Sequence, residues 1–239
     1  MKIVIIRHAD PDYANDTLTL EGFKELEALS KYYNASMFDG IYSSTLRRAL
    51  LTADAVVKGE KEIIACDWLV EFHHPIYLDD GTRHCNWDFM PSFLDKHQEL
   101  IADKNTYLDT SYFQDIDLKG KYDKVIEEFD KVLESYGYKR YNSYYQVTKS
   151  NTKTLVFFCH FGLMTVLLSH LMNVPYTALA QSTCCLPTGV TTLVSEEREK
   201  GIAQFRMLKF GDVSHLEKEG IKPSFAGRFC EIYDSDDRH

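Results

Sequence analysis

Three short apolar runs constrain this chain more than any other feature, because each stops abruptly at a basic or hydroxyl residue. Residues 2–6 (KIVII) lead straight into Arg7-His8, residues 38–43 close on Ser43-Ser44, and residues 154–159 (TLVFFC) lead into His160. Unbroken runs of Ile, Val and Phe of this length are the pattern of strands buried on both faces of a parallel sheet. After the first run a polar loop extends to about Asp16. Leu20, Phe23, Leu26 and Leu29 then recur at three-residue steps, which predicts an amphipathic helix. A second helix is expected from Thr45 to Val57, with Ser44 or Thr45 placed to cap its amides. Ile63–Cys66 adds a short strand, and Leu163–Met172 a strongly apolar helix. Strand and helix alternate at both ends, so the expected fold is α/β, a three-layer α/β/α sandwich around a mainly parallel central sheet. Near the C-terminus, residues 189–195 and 202–210 flank a charged EEREKG turn and predict a hairpin. The acidic tail EIYDSDDRH is expected to fray.

The middle third differs. Residues 71–150 hold nine of the 15 tyrosines yet show little strand periodicity. Val125, Phe129, Val132, Leu133 and Tyr136 form one helix face within it. The economical description is one domain over residues 1–239, carrying an inserted, mainly helical cap over roughly 72–150. The aromatic side chains of that cap serve packing or ligand contact; the pattern alone does not choose.

Composition removes several classes of function. The 27 Lys and Arg against 36 Asp and Glu leave a formal charge of −9, which argues against a nucleic-acid or anionic-membrane partner. No apolar run reaches membrane length. The six cysteines, in a chain without a recognisable secretory segment, read as free thiols in a cytoplasmic protein. His73, His74, His84 and Cys85 are metal-ligand types, but no Cys-x-x-Cys or His-x-x-x-His pair occurs, so no metal or other cofactor is expected. Gly-x-Ser-x-Gly, P-loop and Gly-x-Gly-x-x-Gly fingerprints are absent, and no cysteine is followed six residues later by arginine, which removes a cysteine-dependent phosphatase.

What remains is a convergence of basic residues. Arg7-His8 follows the first strand, Arg47-Arg48 opens the helix after the second, and His160 follows the strand at 154–159. In α/β folds ligands bind at the C-terminal ends of parallel strands. Arg offers a planar donor fork that grips phosphate oxygens in pairs. Any one of these sites is matched by a strand-end Arg bound to a carboxylate. Three at one sheet rim are hard to assign to packing.

The order of these motifs resembles the histidine phosphatase superfamily, the phosphoglycerate-mutase-like proteins, and its phosphatase branch in particular. IVIIRHADP looks like the opening RHG or RHA motif, LTLEGFKELEAL like the helix that follows, and YSSTLRRALLTA like the segment whose arginine aligns with Arg48. WLVEF, CHFG and FGDVSHL complete the series. The resemblance implies a metal-independent phosphomonoester hydrolase of the histidine acid type, acting through a phosphohistidine on a small phosphorylated metabolite. It implies His8 as nucleophile, Arg7, Arg48 and His160 as phosphate-binding groups, His160 also among the catalytic residues, and Glu71 as general acid. Two alternatives stand beside it: a phosphoglycerate-type phosphomutase, and a non-catalytic phosphoester-binding module. Asp10-Pro11 stands where mutases carry a Glu/Gln-Ser pair, and Phe72-His73-His74-Pro75 replaces a glycine-rich stretch, so Asp10 is a second candidate acid. Asp10, Arg83, Trp87 and Phe161 are candidate substrate-selecting residues, although Trp87 and Phe161 would serve equally as packing. The net charge is no obstacle, since binding responds to groups within a Debye length of about 8–10 Å.

Overall fold

The computed structural model describes residues 1–238. Eight strands make one sheet: β1 (Lys2–Arg7), β2 (Gly40–Ser44), β3 (Ile64–Cys66), β4 (Tyr138–Tyr141), β5 (Tyr144–Val147), β6 (Thr154–Cys159), β7 (Val190–Glu199) and β8 (Ile202–Asp212). Their spatial order is β3-β2-β6-β1-β7-β8-β5-β4. The block β3-β2-β6-β1 is parallel, and the remainder joins it by antiparallel pairing from β1 to β7 onward.

Alternation along the central strands builds two cores. Ile3, Ile5, Leu155 and Phe157 face one side, and Val4, Ile6, Val156 and Phe158 the other. On the first side lie Phe129 of helix α3 (Leu118–Ser135) and the apolar residues of α4 (Phe161–Met172). On the second lie Leu29 of α1 (Leu20–Tyr32) and Ala53, Val56 and Val57 of α2 (Arg47–Val57). These are the three layers expected from the alternation of strand and helix.

Several local expectations are corrected. On α1, Leu20 and Phe23 are exposed, and the buried face is Gly22, Glu25, Leu26, Ala28 and Leu29. The helix is rotated because Thr19 caps the Gly22 amide, and Gly22 packs so close to the chain that an added Cβ would stand 2.4 Å from the Asp10 carbonyl oxygen. Helix α2 begins at Arg47, so Thr45 is no cap; the Ser44 hydroxyl accepts only the Leu46 amide, at 3.2 Å. The hairpin strands run through most of EEREKG, leaving Lys200-Gly201 as the turn.

The inserted stretch divides into two parts. Residues 75–117 contain a two-stranded ribbon (Pro75–Tyr77 with Arg83–Cys85) and the short helices Pro91–Lys96, Glu99–Ala102 and Ser111–Gln114. Strands β4 and β5 are not cap but the outer edge of the sheet. Their buried positions are Tyr138 and Tyr145, whose rings pack on Phe205, so strand alternation is written in tyrosine and obscured by Lys139 and Arg140. Buried Asn86 anchors the cap, accepting the His74 amide at 2.8 Å and donating to the Tyr176 hydroxyl at 3.0 Å. Tyr107, Tyr122 and Tyr176 pack ring against ring, so these tyrosines serve packing. In the tail, whose His239 lies outside the described residues, Cys230 bridges to Arg238, and the Arg228 and Arg238 side chains each donate to the other's carbonyl. Among the described residues no helix is long and apolar enough to cross a membrane.

Candidate active site

Register brings the basic residues together. Arg7 pairs with Cys159 across β1 and β6, so His8 and His160 leave adjacent parallel strands at the same level, and Ser44 ends β2 beside them. The two imidazole centroids lie 5.0 Å apart. Both rings are almost fully buried, with residue exposures of 1% for His8 and 0% for His160.

His8 is held in one tautomer. Its Nδ1 lies 2.7 Å from the Ala9 carbonyl, which requires Nδ1–H and leaves the lone pair on Nε2. Arg48, in the first turn of α2, donates to that Nε2 from its Nε at 3.3 Å. Burial and the neighbouring Arg7 and Arg48 hold the His8 pKa well below the ordinary value, so the ring is neutral. The loop after His8 is pinned as well: the Ala9 amide donates to Thr52 Oγ1 at 3.1 Å, and that hydroxyl donates to the Arg48 carbonyl at 2.8 Å.

His160 is neutral for the same reason, burial first and then the charges of its neighbours. A hydrogen-bond chain runs to it: the Leu46 amide donates to Ser44 Oγ, and the Ser44 hydroxyl lies 2.8 Å from His160 Nε2. With Nε2 accepting, Nδ1 carries the proton, and this buried Nδ1 has no partner. Arg7 is similar. Its Nη1 donates to the Cys185 carbonyl, while its buried Nε is unpartnered. A buried polar atom without a partner costs about 1–3 kcal/mol, a cost that a ligand pairing with Arg7 Nε and His160 Nδ1 would remove.

Glu71 reaches this spot from the segment after β3. Its Oε1 accepts the Phe72 amide at 2.9 Å and the Leu163 amide, in the first turn of α4, at 3.1 Å. Burial nevertheless pushes the carboxyl above the usual carboxylate range, against the pull of Arg7 and the two amides. Gly162 permits the approach: a Cβ there would stand 2.5 Å from Trp87 Nε1 and 2.8 Å from Glu71 Oε1. Trp87 is fixed by its own N–H to the Phe72 carbonyl at 3.1 Å, and its ring meets Phe161 edge-on at 5.5 Å.

Above these groups opens a cavity of about 630 Å³, lined by Arg7, Arg48, Glu71, Trp87, Asp88 and Phe161 among others. The structure therefore brings together Arg7, His8, Arg48, Glu71, His160, Trp87 and Phe161. It does not bring Asp10 or Arg83. Asp10 is buried below the site with one oxygen on the Thr19 hydroxyl at 2.7 Å and the other on the Ser224 hydroxyl at 2.6 Å. It is a clamp between loop, helix and tail, with no oxygen to offer a substrate. Arg83 is exposed on the cap ribbon, outside the cavity lining. His73 and Cys85 approach to 3.2 Å, but no group of three or more metal-ligating side chains gathers among the described residues.

Sequence reasoning missed the supports. Thr188 holds a left-handed backbone with φ of 57°, unfavourable for a β-branched residue, while its amide donates to the His8 carbonyl at 3.3 Å. Buried His215 lies 2.9 Å from the Thr188 hydroxyl, its pKa lowered by burial to about 4. The only signals were the Pro187-Thr188-Gly189 turn triplet and the SHL motif. Tyr13, stacked 5.3 Å from the Arg48 guanidinium, and Arg228, Phe229 and Arg238 also line the cavity and had no signal.

A family model described as the histidine phosphatase superfamily (branch 1) matches residues 3–90, the stretch that carries Arg7, His8, Arg48, Glu71 and Trp87 and ends before His160. No curated protein matches the chain. Among solved structures, a phosphoserine phosphatase mutant from Entamoeba histolytica in complex with phosphoserine is 19% identical, covering 90% of this chain and 98% of its own, with a TM-score of 0.55. A mycobacterial glucosyl-3-phosphoglycerate phosphatase with inorganic phosphate is 17% identical over the same shares, with a TM-score of 0.56. Bacillus stearothermophilus YhfR is 19% identical, again over 90% and 98%, with a TM-score of 0.55. At these identities the likeness is one of fold. Residues 3–90 thus match the model of the histidine phosphatase superfamily (branch 1), and the chain shares the fold of these solved structures.

Proposed function

We propose that the protein is a metal-independent phosphomonoester hydrolase that works through a phosphohistidine on His8. The observation that carries this reading is a neutral imidazole, locked with its lone pair on Nε2, beneath two arginines that lack a carboxylate partner among the described residues. The phosphoryl oxygens would take the donors now idle on Arg7 and His160, and Arg48 would exchange His8 Nε2 for a phosphate oxygen. His8 Nε2 then attacks phosphorus in line with the ester oxygen. The P–O bond breaks, its electron pair goes to the leaving oxygen, and Glu71 supplies the proton. A raised pKa suits Glu71 to that task. In the second half Glu71, now ionised, takes a proton from water; the water oxygen bonds to phosphorus, and the P–N pair returns to His8. Charge built on the equatorial oxygens is met by fixed guanidinium groups, which cost no reorganisation at the moment of transfer.

The similar structures include proteins named for phosphoserine and glucosyl-3-phosphoglycerate. They support a small phosphorylated metabolite as substrate and do not choose among such metabolites. The test is rapid acid-free quenching with a labelled phosphomonoester in the presence of a chelator. The expected result is a phosphoenzyme that survives alkali, is lost in acid and maps to the peptide holding His8. Turnover that stops on chelation, or label on another residue, removes the reading.

A further inference from the structure

The cavity has a second set of cations that the phosphate site does not use. Beyond β8 the chain passes Ser224, buried and fastened at two points: its hydroxyl donates to Asp10 Oδ1 at 2.6 Å and its amide to Glu25 Oε1 at 3.3 Å. From that clamp the C-terminal arm runs along the loop that carries Cys185, with Cys184 Sγ meeting the Gly227 carbonyl at 3.6 Å. The same loop's Cys185 carbonyl holds Arg7. The arm and the phosphate site therefore share one support.

The arm delivers Arg228 and Arg238 to the cavity wall. Each guanidinium donates from Nη1 to the other residue's carbonyl at 3.1 Å. Both sit over the Phe225 ring, at 5.5 Å and 4.7 Å from its centroid. Each keeps a buried Nε with no partner. Among the described residues neither is in an ion pair, whereas Arg198 and Arg206 both are. Two like charges gathered on one aromatic ring repel, and their idle donors add to the cost, unless an anion lies between or before them. The arm's own acids, Glu231, Asp234, Asp236 and Asp237, are not in the lining. The cavity wall thus holds Arg7, Arg48, Arg228 and Arg238 against the carboxyls of Glu71 and Asp88, in a chain whose formal charge is −9. The same wall is aromatic, with Tyr13 against Arg48, Phe161 against Arg7, and Trp87 and Phe229 besides.

We propose that Arg228 and Arg238 form a second anion-binding subsite, so that the substrate is a phosphomonoester bearing a second anionic group, a carboxylate or another phosphate, at the far end of a spacer that lies along the aromatic wall. This rests on the phosphatase reading for the first anion only.

Direct binding tests it without relying on turnover. The full chain is titrated calorimetrically with n-alkylphosphonates of graded length and with their ω-carboxy and ω-phosphono counterparts. At a matching length the second anion is expected to tighten binding by about ten-fold or more. That gain, taken as a ratio to the plain alkylphosphonate on the same variant, is expected to vanish in Arg228→Gln/Arg238→Gln and to persist in part in the milder Arg238→Lys. A merely structural role for the pair would weaken both ligand series alike and leave the ratio unchanged. Whether the carboxy or the phosphono series gains identifies the second group. No gain at any length, or a gain that survives the double substitution, overturns the subsite. Hydrolysis of phenyl phosphate is followed in parallel: a binding gain without hydrolysis keeps the subsite and removes the phosphatase reading, and hydrolysis without a gain does the reverse.

Discussion

Two cavities of similar size open on this molecule, and they differ in what their arginines touch. The first, about 630 Å³, lies over the C-terminal ends of the parallel strands. The second, about 550 Å³, lies on the antiparallel half and is lined by Ser143, Tyr144, Asn173, Glu196, Arg198 and neighbours. In the second, Glu196 takes Arg198 at 3.2 Å, pairs also with Arg206, and accepts the Gln204 amide at 2.9 Å. Its lining arginine, Arg198, is spent on a carboxylate already present, which Arg206 outside the lining shares. In the first, the arginines meet carbonyls, rings and a neutral imidazole, and keep donors in reserve. Volume therefore says little about which cavity binds. The difference is whether the protein supplies the counter-charge or leaves it to a ligand.

The sharpest way to break that contrast is to remove the nucleophile. His8→Ala is expected to lower kcat on phenyl phosphate by about 10⁴-fold or more, measured as phosphate release, with the circular dichroism spectrum retained. Activity near the parent level would make the first cavity a pocket like the second. Next in size is a matched pair of substitutions. Arg48→Met is expected to reduce kcat/KM by about 10²–10³-fold. Because Arg48 helps to depress the His8 pKa, the acid limb of the pH profile should also move to higher pH. Arg198→Met, in the second cavity, is expected to change kcat/KM by less than about three-fold. Equal effects from the two would erase the distinction.

Much of the first cavity was legible because its chemistry sits at strand ends. A strand buried on both faces writes itself as an unbroken apolar run, and the residue that ends the run is fixed in space by the sheet. Hence Arg7, His8, Arg48 and His160 were found, and Glu71 through the motif that follows β3. Asp10 misled because two positions along the chain from His8 separate a reactive rim from a buried clamp, and the difference lies in Thr19 and Ser224, far apart in sequence. Strands β4 and β5 were hidden because their buried positions are tyrosines flanked by charge. The arginines of the arm were hidden for a different reason: the acidic tail reads as solvated, and the contacts that turn it back, the bridge from Cys230 to Arg238 and the reciprocal bonds of Arg228 and Arg238, leave no local pattern. Local pattern reports what local structure fixes, and it is silent on long-range clamps.

A smaller effect probes how the first cavity's wall is held. In Gly162→Ala the new Cβ meets Trp87 and Glu71, at 2.5 Å and 2.8 Å in the present geometry. Both contacts are under 3.0 Å, so relief requires the carboxylate to shift from the Leu163 amide as well as the indole from the Phe72 carbonyl. A stability loss of about 1–3 kcal/mol is expected from chemical denaturation. The fall in kcat should exceed what that loss explains, since the group displaced is the proposed acid. A variant that is destabilised but fully active would separate Glu71 from the chemistry.

The finest contrast is between two carboxyls. Glu196, half-buried and bonded to Gln204 and Arg206, is held below the usual carboxylate range. Glu25, beneath the first cavity, accepts the Asp10 and Ser224 amides, yet burial raises its pKa to about 7. In the unfolded chain the same group ionises near 4.5. Between those two values the native state therefore holds a proton that the unfolded state has released, so stability falls as pH rises through this window. The loss is complete once pH passes the native value, and amounts to at most about 3 kcal/mol. Measured against Glu25→Gln, which cannot ionise, the parent's Tm is expected to decline from pH 5 to pH 8, a contribution opposite in sign to that of the buried histidines, whose lowered pKa values make stability rise with pH. Glu196→Gln should leave it unaltered, because the native and unfolded pKa values of that group both lie below the window. An unchanged slope in Glu25→Gln would mean that the strain beneath the first cavity is relieved by another route, and the tail clamp at Ser224 would then be no weaker at pH 8 than at pH 5.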